Sequence, residues 1–164
     1  MTDTAIALSL NWDQVDEYIS TLADIIRHDG VPQTIIGILR GGMVPAVLLA
    51  HQLAVRDVRG IEVTRTLTEQ PNGEKAARPQ IVNPVSVGVL DINADVLLVD
   101  DVAGSGATFD TSAALISHRV ARVRRVALVV NTVNWERSKL VAPQQTLDYI
   151  GTTCAGWVHF PWEV

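Results

Sequence analysis

Two segments of the sequence run from a short apolar block, through a glycine-containing turn, into a stretch suited to a helix. They are TIIGILRGGMVPAVLLA, residues 34–50, and VLLVDDVAGSGATFD, residues 96–110. Pro45 fits the opening turn of the first helix, and the second helix is predicted from about Ala107 to Val120. Apolar strands that alternate with helices indicate an α/β fold, with a mainly parallel twisted sheet flanked by helices on both faces. Ligands of such sheets bind beyond the carboxyl ends of the strands, where both glycine turns lie.

The rest of the chain fits one domain, residues 1–164, built in the same way. Apolar residues at helical spacing predict an amphipathic first helix between Trp12 and Ile26, which Gly30 and Pro32 then end. Further strands or extended segments are predicted over residues 61–66, 81–89, 124–133, 147–151 and 156–160. A polar stretch rich in turn formers, at about residues 66–79, predicts an exposed and mobile loop.

The apolar runs, the net charge and the cysteine count of the chain argue against several classes of function. The apolar runs are too short to approach the roughly 20 residues needed to cross a bilayer, so no membrane association is expected. The net charge of −5 argues against general nucleic-acid binding but permits a local pocket for a small anion. The N-terminal residues lack the features of a signal peptide, so a cytoplasmic protein is expected. Its single cysteine, Cys154, is expected to be a small buried apolar side chain.

The second glycine turn carries the residues of a sugar-phosphate site. Asp100 and Asp101 place two carboxylates at the lip of the crevice, where they can hold paired sugar hydroxyls through charge-assisted hydrogen bonds. In the loop that follows, Gly104 and Gly106 allow a ligand to approach the backbone closely, and Ser105 and Thr108 offer hydroxyl groups. The amides at the start of the helix, with the positive end of its dipole, can then bind an anion. The plainer alternative is a solvated strand end followed by an ordinary capped turn.

Four motifs carry a resemblance to one family. The segment VLLVDDVAGSGAT resembles the phosphoribosyl-pyrophosphate signature of the type I phosphoribosyltransferases, and IIGILRGGMVPAVLLAHQL resembles the pyrophosphate loop of their purine branch. The ending GWVHFPWE resembles the ending of that branch, and LNWDQVDEYISTLA resembles the short xanthine–guanine and hypoxanthine transferases of bacteria and archaea. The resemblance covers nearly the whole chain and implies the type I phosphoribosyltransferase fold, with the loop at about 66–79 as a small hood.

The resemblance also implies roles for single residues. Asp100 and Asp101 would hold the ribose hydroxyls of the donor and, with Arg40, are the candidate catalytic residues. The 5-phosphate would lie against Ala103, Gly104, Ser105, Gly106, Ala107 and Thr108, and the pyrophosphate against Arg40, Gly41 and Gly42, with a cis peptide bond at Leu39–Arg40. Trp157 would stack on the acceptor base while the backbone of Val158 reads its edge, and Trp162 is assigned to packing.

The implied reaction is displacement at C1 of the sugar, in which a ring nitrogen of a heterocyclic base attacks and pyrophosphate leaves. Mg²⁺ is the implied cofactor, held mostly by the donor and by water, so no dense set of protein ligands is expected. Hood closure would exclude water from the reacting sugar, with Arg65, Lys75 and Arg78 as candidates for stabilising the leaving group. The family usually forms homo-oligomers, and the same is expected here.

Two departures from the family pattern fall in the acceptor half of the site. The 6-oxopurine enzymes carry a third aspartate, facing N7 of the purine, where this chain has Gly104, and glycine cannot accept a proton. They also place a lysine, which recognises the 6-oxygen, at the position of Val133, with Asn131 and Asn134 nearby here. The departures indicate a changed or absent acceptor.

Three functions remain open from the sequence. The leading hypothesis is a phosphoribosyltransferase that acts on a purine or purine-like base. The second is a regulatory protein that binds a nucleotide or phosphoribosyl pyrophosphate with little turnover. The third, a flavodoxin-like signalling or nucleotide-binding domain, does not account for Arg40–Gly42 and Asp100–Asp101 together.

Overall fold

A computed structural model describes residues 6–66, 75–138 and 141–163 of the chain. The strands are β1 (Ile6–Ser9), β2 (Thr34–Leu39), β3 (Asp57–Thr66), β4 (Lys75–Ile81), β5 (Asp95–Ala103), β6 (Arg122–Asn131), β7 (Tyr149–Cys154) and β8 (Trp157–His159). The helices are α1 (Trp12–Asp29), α2 (Met43–Leu53), α3 (Ala107–Ile116) and α4 (Thr132–Ser138), and short 3₁₀ turns cover Pro84–Val87 and Pro143–Gln145.

Six strands form one sheet in the order β4-β3-β2-β5-β6-β7. Every neighbouring pair is parallel except β3 and β4, which are antiparallel. The short strands β1 and β8 pair with each other, in parallel, as a second small sheet. The mainly parallel α/β architecture predicted from the alternating strands and helices is therefore confirmed.

Helices cover the main sheet on both faces. Successive residues of a strand point to opposite faces, so Ile35 and Leu97 pack with α1 and α2, whereas Ile36 and Leu98 pack with α3. All four side chains are fully buried. Burial on both faces explains why these strands read as continuous apolar runs rather than as alternating patterns.

The predicted first helix is confirmed as α1. Its N-terminus is closed by a capping box, in which Asn11 Oδ1 accepts the N–H of Gln14 at 2.9 Å and Gln14 Oε1 accepts the N–H of Asn11 at 3.0 Å. One face of the helix is buried against the sheet, through Val15, Ile19, Leu22, Ala23 and Ile26. No helix among the described residues has the length and apolar character that a membrane span requires.

Several predicted boundaries differ from the structure. α3 ends at Ile116 rather than Val120, and the strand expected over 124–133 ends at Asn131. The side-chain Oδ1 of Asn131 accepts the N–H of Asn134 at 3.1 Å, so the chain turns into α4 at that point. The segment expected to be a strand over 81–89 contains the 3₁₀ turn Pro84–Val87.

Part of the segment predicted as a loop, at about residues 66–79, is a strand instead, because Lys75–Ile81 forms β4. This strand pairs with β3 at the edge of the sheet, with Val63 opposite Ile81 and Thr64 opposite Gln80. An edge strand can be polar because one side faces solvent, so its sequence lacks the apolar signal of the central strands. The remainder of the hood segment, residues 67–74, and the side chains of Arg65, Lys75 and Arg78 lie outside the described residues.

A buried ion pair joins the amino ends of the central strands. The guanidinium of Arg124, on β6, is 1% exposed and donates to both carboxylate oxygens of Asp95 at 3.0 and 2.7 Å. It also donates to Tyr149 Oη at 3.0 Å and to the carbonyl of Gly30 at 2.7 Å. Tyr149 in turn donates to Asp29 at 3.0 Å, so this cluster connects β5, β6 and β7 to the end of α1.

Candidate active site

The carboxyl ends of β2, β5 and β6 meet at the opposite edge of the sheet. The loop 40–42 follows β2, the loop 104–106 follows β5, and α4 follows β6 directly. Asp100 and Asp101 lie within β5 rather than beyond its end, because β5 continues to pair with β6 as far as Ala103. Parallel strands therefore bring the two glycine turns of the sequence to one place.

The loop after β2 packs directly against β5. A Cβ atom added at Gly41 would overlap the carboxylate of Asp101, and one added at Gly42 would lie 2.6 Å from the carbonyl oxygens of Ile38 and Val99. Neither position has room for a side chain. The peptide bond between Leu39 and Arg40 is cis, as the resemblance implied. The structure thus places two motifs that are 60 residues apart in the sequence in direct contact.

The two aspartates share a partly buried environment. Asp100 Oδ1 accepts the N–H of Asp101 at 3.0 Å, and Asp101 Oδ1 accepts the N–H of Val102 at 2.8 Å. Burial raises the pKa of Asp100 well above its usual range, and the neighbouring charge of Asp101 raises it further. Burial also raises the pKa of Asp101, with a smaller contribution from the charge of Glu163. Hydrogen-bond donors or a cation beside the two carboxylates would reduce their mutual repulsion.

The loop after β5 forms one wall of a cavity of about 480 Å³. Gly106 has a left-handed φ of 72°, which glycine adopts without strain, and the Oγ of Ser105 accepts the N–H of Ala107 at 3.3 Å. α3 begins at Ala107, so its first amides and the positive end of its dipole lie at the loop. The cavity is lined by the predicted residues Asp100, Ala103, Gly104, Ser105, Gly106 and Thr108, among others.

The opposite wall of this cavity comes from α4. Asn134, Arg137 and Ser138 line it, and the sequence pattern indicated a role for none of them. The apolar pattern predicted a continuous strand through residue 133, so the helix was not expected. The available signal was Asn131, because asparagine before a polar stretch is typical of a helix N-cap.

A second, smaller cavity of about 150 Å³ lies beside the first. It is lined by Trp157 and Val158 of β8, by Asp101 and Gly104 of the donor motif, and by Asn131, Asn134 and Glu163, among others. Trp157 is 56% exposed, so its ring is available to a ligand, whereas Val158 is buried. Trp162 stacks on Phe160 at a ring distance of 4.6 Å, which agrees with its assignment to packing.

Two residues of this region, Val133 and Cys154, are placed differently from the sequence-based expectation. Val133 lies on the first turn of α4 and does not line the small cavity, where Asn131 and Asn134 take its place. Cys154 is half-buried rather than buried, and its Sγ donates to the carbonyl of Gly156 at 3.3 Å. The thiol belongs to the last residue of β7, next to the turn into β8.

Comparison with known proteins agrees with this geometry. The sequence model of the phosphoribosyl transferase domain family matches residues 11–164, nearly the whole chain. The chain belongs to the phosphoribosyl transferase family. A xanthine-guanine phosphoribosyltransferase from Ruegeria sp. is 24% identical over 159 residues, which cover 94% of this chain and 84% of the relative. The flavodoxin-like alternative does not apply to a phosphoribosyltransferase.

Solved structures of related proteins share the fold of this phosphoribosyltransferase. A purine phosphoribosyltransferase from Pyrococcus horikoshii superposes with a TM-score of 0.74 at 30% identity, covering 96% of this chain and 94% of the other. A protein from Neisseria gonorrhoeae, solved with bound ppGpp, superposes with a TM-score of 0.75 at 21% identity over 97% and 91% of the two chains.

Proposed function

We propose that this phosphoribosyltransferase transfers the 5-phosphoribosyl group of phosphoribosyl pyrophosphate to a ring nitrogen of a purine or purine-like base and releases pyrophosphate. One observation carries the proposal. The adjacent carboxylates Asp100 and Asp101 border different cavities: Asp100 lines the larger cavity with the phosphate loop, and Asp101 lines the smaller cavity with Trp157. A ribose held by this pair would have its phosphate on one side and an acceptor base on the other.

The relatives support a purine acceptor. The curated relatives from Ruegeria, Roseobacter and Gluconobacter are named xanthine-guanine phosphoribosyltransferases, and the Pyrococcus structure is a purine phosphoribosyltransferase. These names favour an enzyme of purine salvage over the regulatory alternative that the sequence left open.

The chain's own groups suggest how transfer would proceed. The amides and hydroxyls from Ala103 to Thr108 hold the 5-phosphate, and the two carboxylates accept hydrogen bonds from the ribose hydroxyls. Arg40 and the loop glycines hold the pyrophosphate beside Asp101. The bond between C1 and the pyrophosphate oxygen breaks with its electron pair leaving on pyrophosphate, while a ring nitrogen of the base forms the new bond to C1. The indole of Trp157 orients the base by stacking.

The donor half fits a magnesium-bound substrate. The described residues contain no group of three or more His, Cys, Asp or Glu side chains placed to share a metal ion, but Asp100 and Asp101 form an adjacent pair. Burial raises the pKa of both, and the charge of Asp101 raises that of Asp100 further. Such a pair would hold Mg²⁺ through ribose hydroxyls and water, which suits a cation that keeps several of its waters. When bound, Mg²⁺ neutralises charge on the leaving pyrophosphate.

Turnover with a panel of bases tests the proposal. Phosphoribosyl pyrophosphate and Mg²⁺ are mixed with the protein and with xanthine, guanine, hypoxanthine and adenine, and both pyrophosphate and nucleotide are quantified. We expect nucleotide with at least one base. The double variant Asp100→Asn, Asp101→Asn should lose magnesium-dependent donor binding in calorimetry, because neutral amides cannot replace the charged acceptors.

The exposed Asp91→Asn variant is the control and should bind the donor like the wild type. Donor affinity that survives in the double variant contradicts the ribose role of the pair. Donor binding without nucleotide formation from any base would instead point to the regulatory function.

A further inference from the structure

We propose that the side-chain amide of Asn134 takes the place of the missing carboxylate at residue 104, and that it selects the acceptor base by a hydrogen bond to its edge at ring position 7. The inference rests on the proposed function, since it assumes that the smaller cavity receives a base. It identifies a specificity residue for that cavity.

Asn134 lies where a side chain at residue 104 would extend. A Cβ atom built on Gly104 has Asn134 Cβ and Nδ2 as its nearest neighbours, each at 3.7 Å. Asn134 also lines both cavities, as Gly104 does. The amide on α4 therefore borders the space that an aspartate at residue 104 would reach from β5.

The position of Asn134 is set by its main chain and its neighbours, which leaves its side chain available. Its N–H donates to Asn131 Oδ1 at 3.1 Å, and its carbonyl accepts from Ser138 Oγ at 2.8 Å. The adjacent Trp135 is 1% exposed, and its Nε1 donates to the carbonyl of Val141 at 2.9 Å. Within the described part of the chain, the side-chain amide of Asn134 makes no hydrogen bond.

The other polar side chains around the smaller cavity are engaged with the protein. Asn131 donates from Nδ2 to the carbonyl of Gly156 at 2.7 Å and accepts at Oδ1 from Asn134. Glu163 accepts the N–H of Phe160 at 3.0 Å, and Asp101 accepts the N–H of Val102. Asn134 is the side chain among these that offers a free donor and a free acceptor to a ligand.

A side-chain amide selects among bases differently from a carboxylate. It can donate an N–H to an unprotonated ring nitrogen or accept from a protonated one, but it cannot take the proton away. The proton displaced when the attacking nitrogen bonds to C1 would therefore pass to solvent rather than to Asn134. Asn134 thus discriminates between a base with nitrogen at position 7 and a base with a C–H group there.

The test compares hypoxanthine with 7-deazahypoxanthine, which differ at that ring atom alone. The 7-deaza base has a pyrrole N–H in place of the attacking nitrogen, so it is used as a competitive inhibitor. In Asn134→Ala, KM for hypoxanthine should rise about three- to tenfold, the loss expected for one neutral hydrogen bond, while the inhibition constant of the 7-deaza base should change little. The kcat value should change less than KM, because the hydrogen bond is present before and during transfer. Glu136→Ala, on the same helix but lining neither cavity, is the matched control and should leave KM for hypoxanthine and the inhibition constant of the 7-deaza base at their wild-type levels.

Direct binding separates this inference from the proposed function. Calorimetry with inosine monophosphate and its 7-deaza counterpart measures the same contact without any turnover, and the variant should weaken only the first. Equal losses for the two ligands, or no loss for either, would overturn the role of Asn134. A loss of donor affinity as large as the loss of base affinity would also overturn it, because the amide would then serve the larger cavity.

Discussion

The charged carboxylates of Asp100 and Asp101 lower the stability of the folded protein, and a ligand that donates hydrogen bonds to them would offset this cost. Burial and mutual repulsion raise the pKa of Asp100 above its usual value of 3.8, so the folded protein binds a proton more tightly than the unfolded chain does. At pH values below 3.8 the group is protonated in both states and costs nothing. As pH rises from 3.8 through the raised pKa, the folded state must hold an unfavourable charge and loses stability.

Asp100→Asn should therefore raise the melting temperature, and the gain should grow as pH rises from about 4 towards neutrality and then level off. The measurement is thermal unfolding of wild type and variant across this pH range, without ligand. Asp16→Asn, an exposed substitution on α1, is the control and should show no such trend. A gain of the same size at every pH would mean that the charge of Asp100 is not its cause.

Gly104 leaves space for a restored carboxylate. The nearest atoms to an added Cβ lie at 3.7 Å, an ordinary van der Waals distance, so Gly104→Asp should fold. We expect kcat/KM for hypoxanthine and guanine to rise, since a general base with suitable geometry contributes roughly 10²–10⁴ in rate. Gly104→Asn has the same shape but cannot take a proton, and it should show no comparable gain. A wild type that already matches the gain-of-function variant would show that another group handles the proton.

At the scale of elements, α4 depends on its tertiary contacts. It has seven residues, well below the about 12–15 that an isolated helix needs to be even marginally stable in water. Asn131 connects its first turn to the turn between β7 and β8, and Thr132 Oγ1 donates to the carbonyl of Cys154 at 3.1 Å. The buried ring of Trp135 holds the middle of the helix. Asn134 and Trp157 both line the smaller cavity, so these contacts support two parts of its lining.

Asn131→Ala should cost about 1–3 kcal/mol of unfolding free energy, because the carbonyl of Gly156 and the N–H of Asn134 lose their partner. It should also raise KM for the base, since both α4 and Trp157 lose their support. Denaturant unfolding and steady-state kinetics measure the two effects. Asn134→Ala is the contrasting variant, which should affect base binding with little loss of stability. Equal stability losses in the two variants would argue against Asn131 as the connecting residue.

At the scale of the whole molecule, the two ends of the sheet differ in how their charged side chains are paired. The carboxyl end holds the repelling pair Asp100–Asp101, whereas the amino end holds the compensated cluster around Arg124 and Asp95. That cluster joins three strands to α1. It lies at the end of the strands opposite to the candidate site. We therefore expect substitutions in this cluster to change stability without changing function.

Arg124→Met should cost about 3–5 kcal/mol of unfolding free energy, because it leaves a partly buried Asp95 without its buried partner. Arg122→Met is the control, since Arg122 is exposed and 3.7 Å from the same carboxylate, and it should cost about 0–1 kcal/mol. Denaturant unfolding measures both. The kcat/KM value per folded molecule should stay near that of the wild type, and a large fall at full folding would contradict the separation of the two ends.

Local patterns were sufficient to predict the sheet and the position of the two glycine turns at the carboxyl ends of its strands. β2 and β5 are apolar runs followed by glycine turns and helices, and each of these signals lies within a few neighbouring residues. The roles assigned to Arg40, Gly41 and the segment from Asp100 to Thr108 are implied by the family resemblance of these two units, and they stay predictions. Their convergence followed from a rule of parallel sheets, which brings the carboxyl ends of neighbouring strands to one edge.

The sequence by itself thus determined the α/β architecture, because that follows from short-range periodicity and turn chemistry, and its motifs carried the resemblance that indicated the family. The tertiary structure alone decided which residues line the smaller cavity. α4 is too short to be specified by its own propensity, and β4 forms because β3 provides an edge. Asn134 faces Gly104, and Glu163 adds its charge to Asp101, only after distant segments have packed together. Contacts between such segments depend on the free energy of the whole packed core, which no local window of sequence contains.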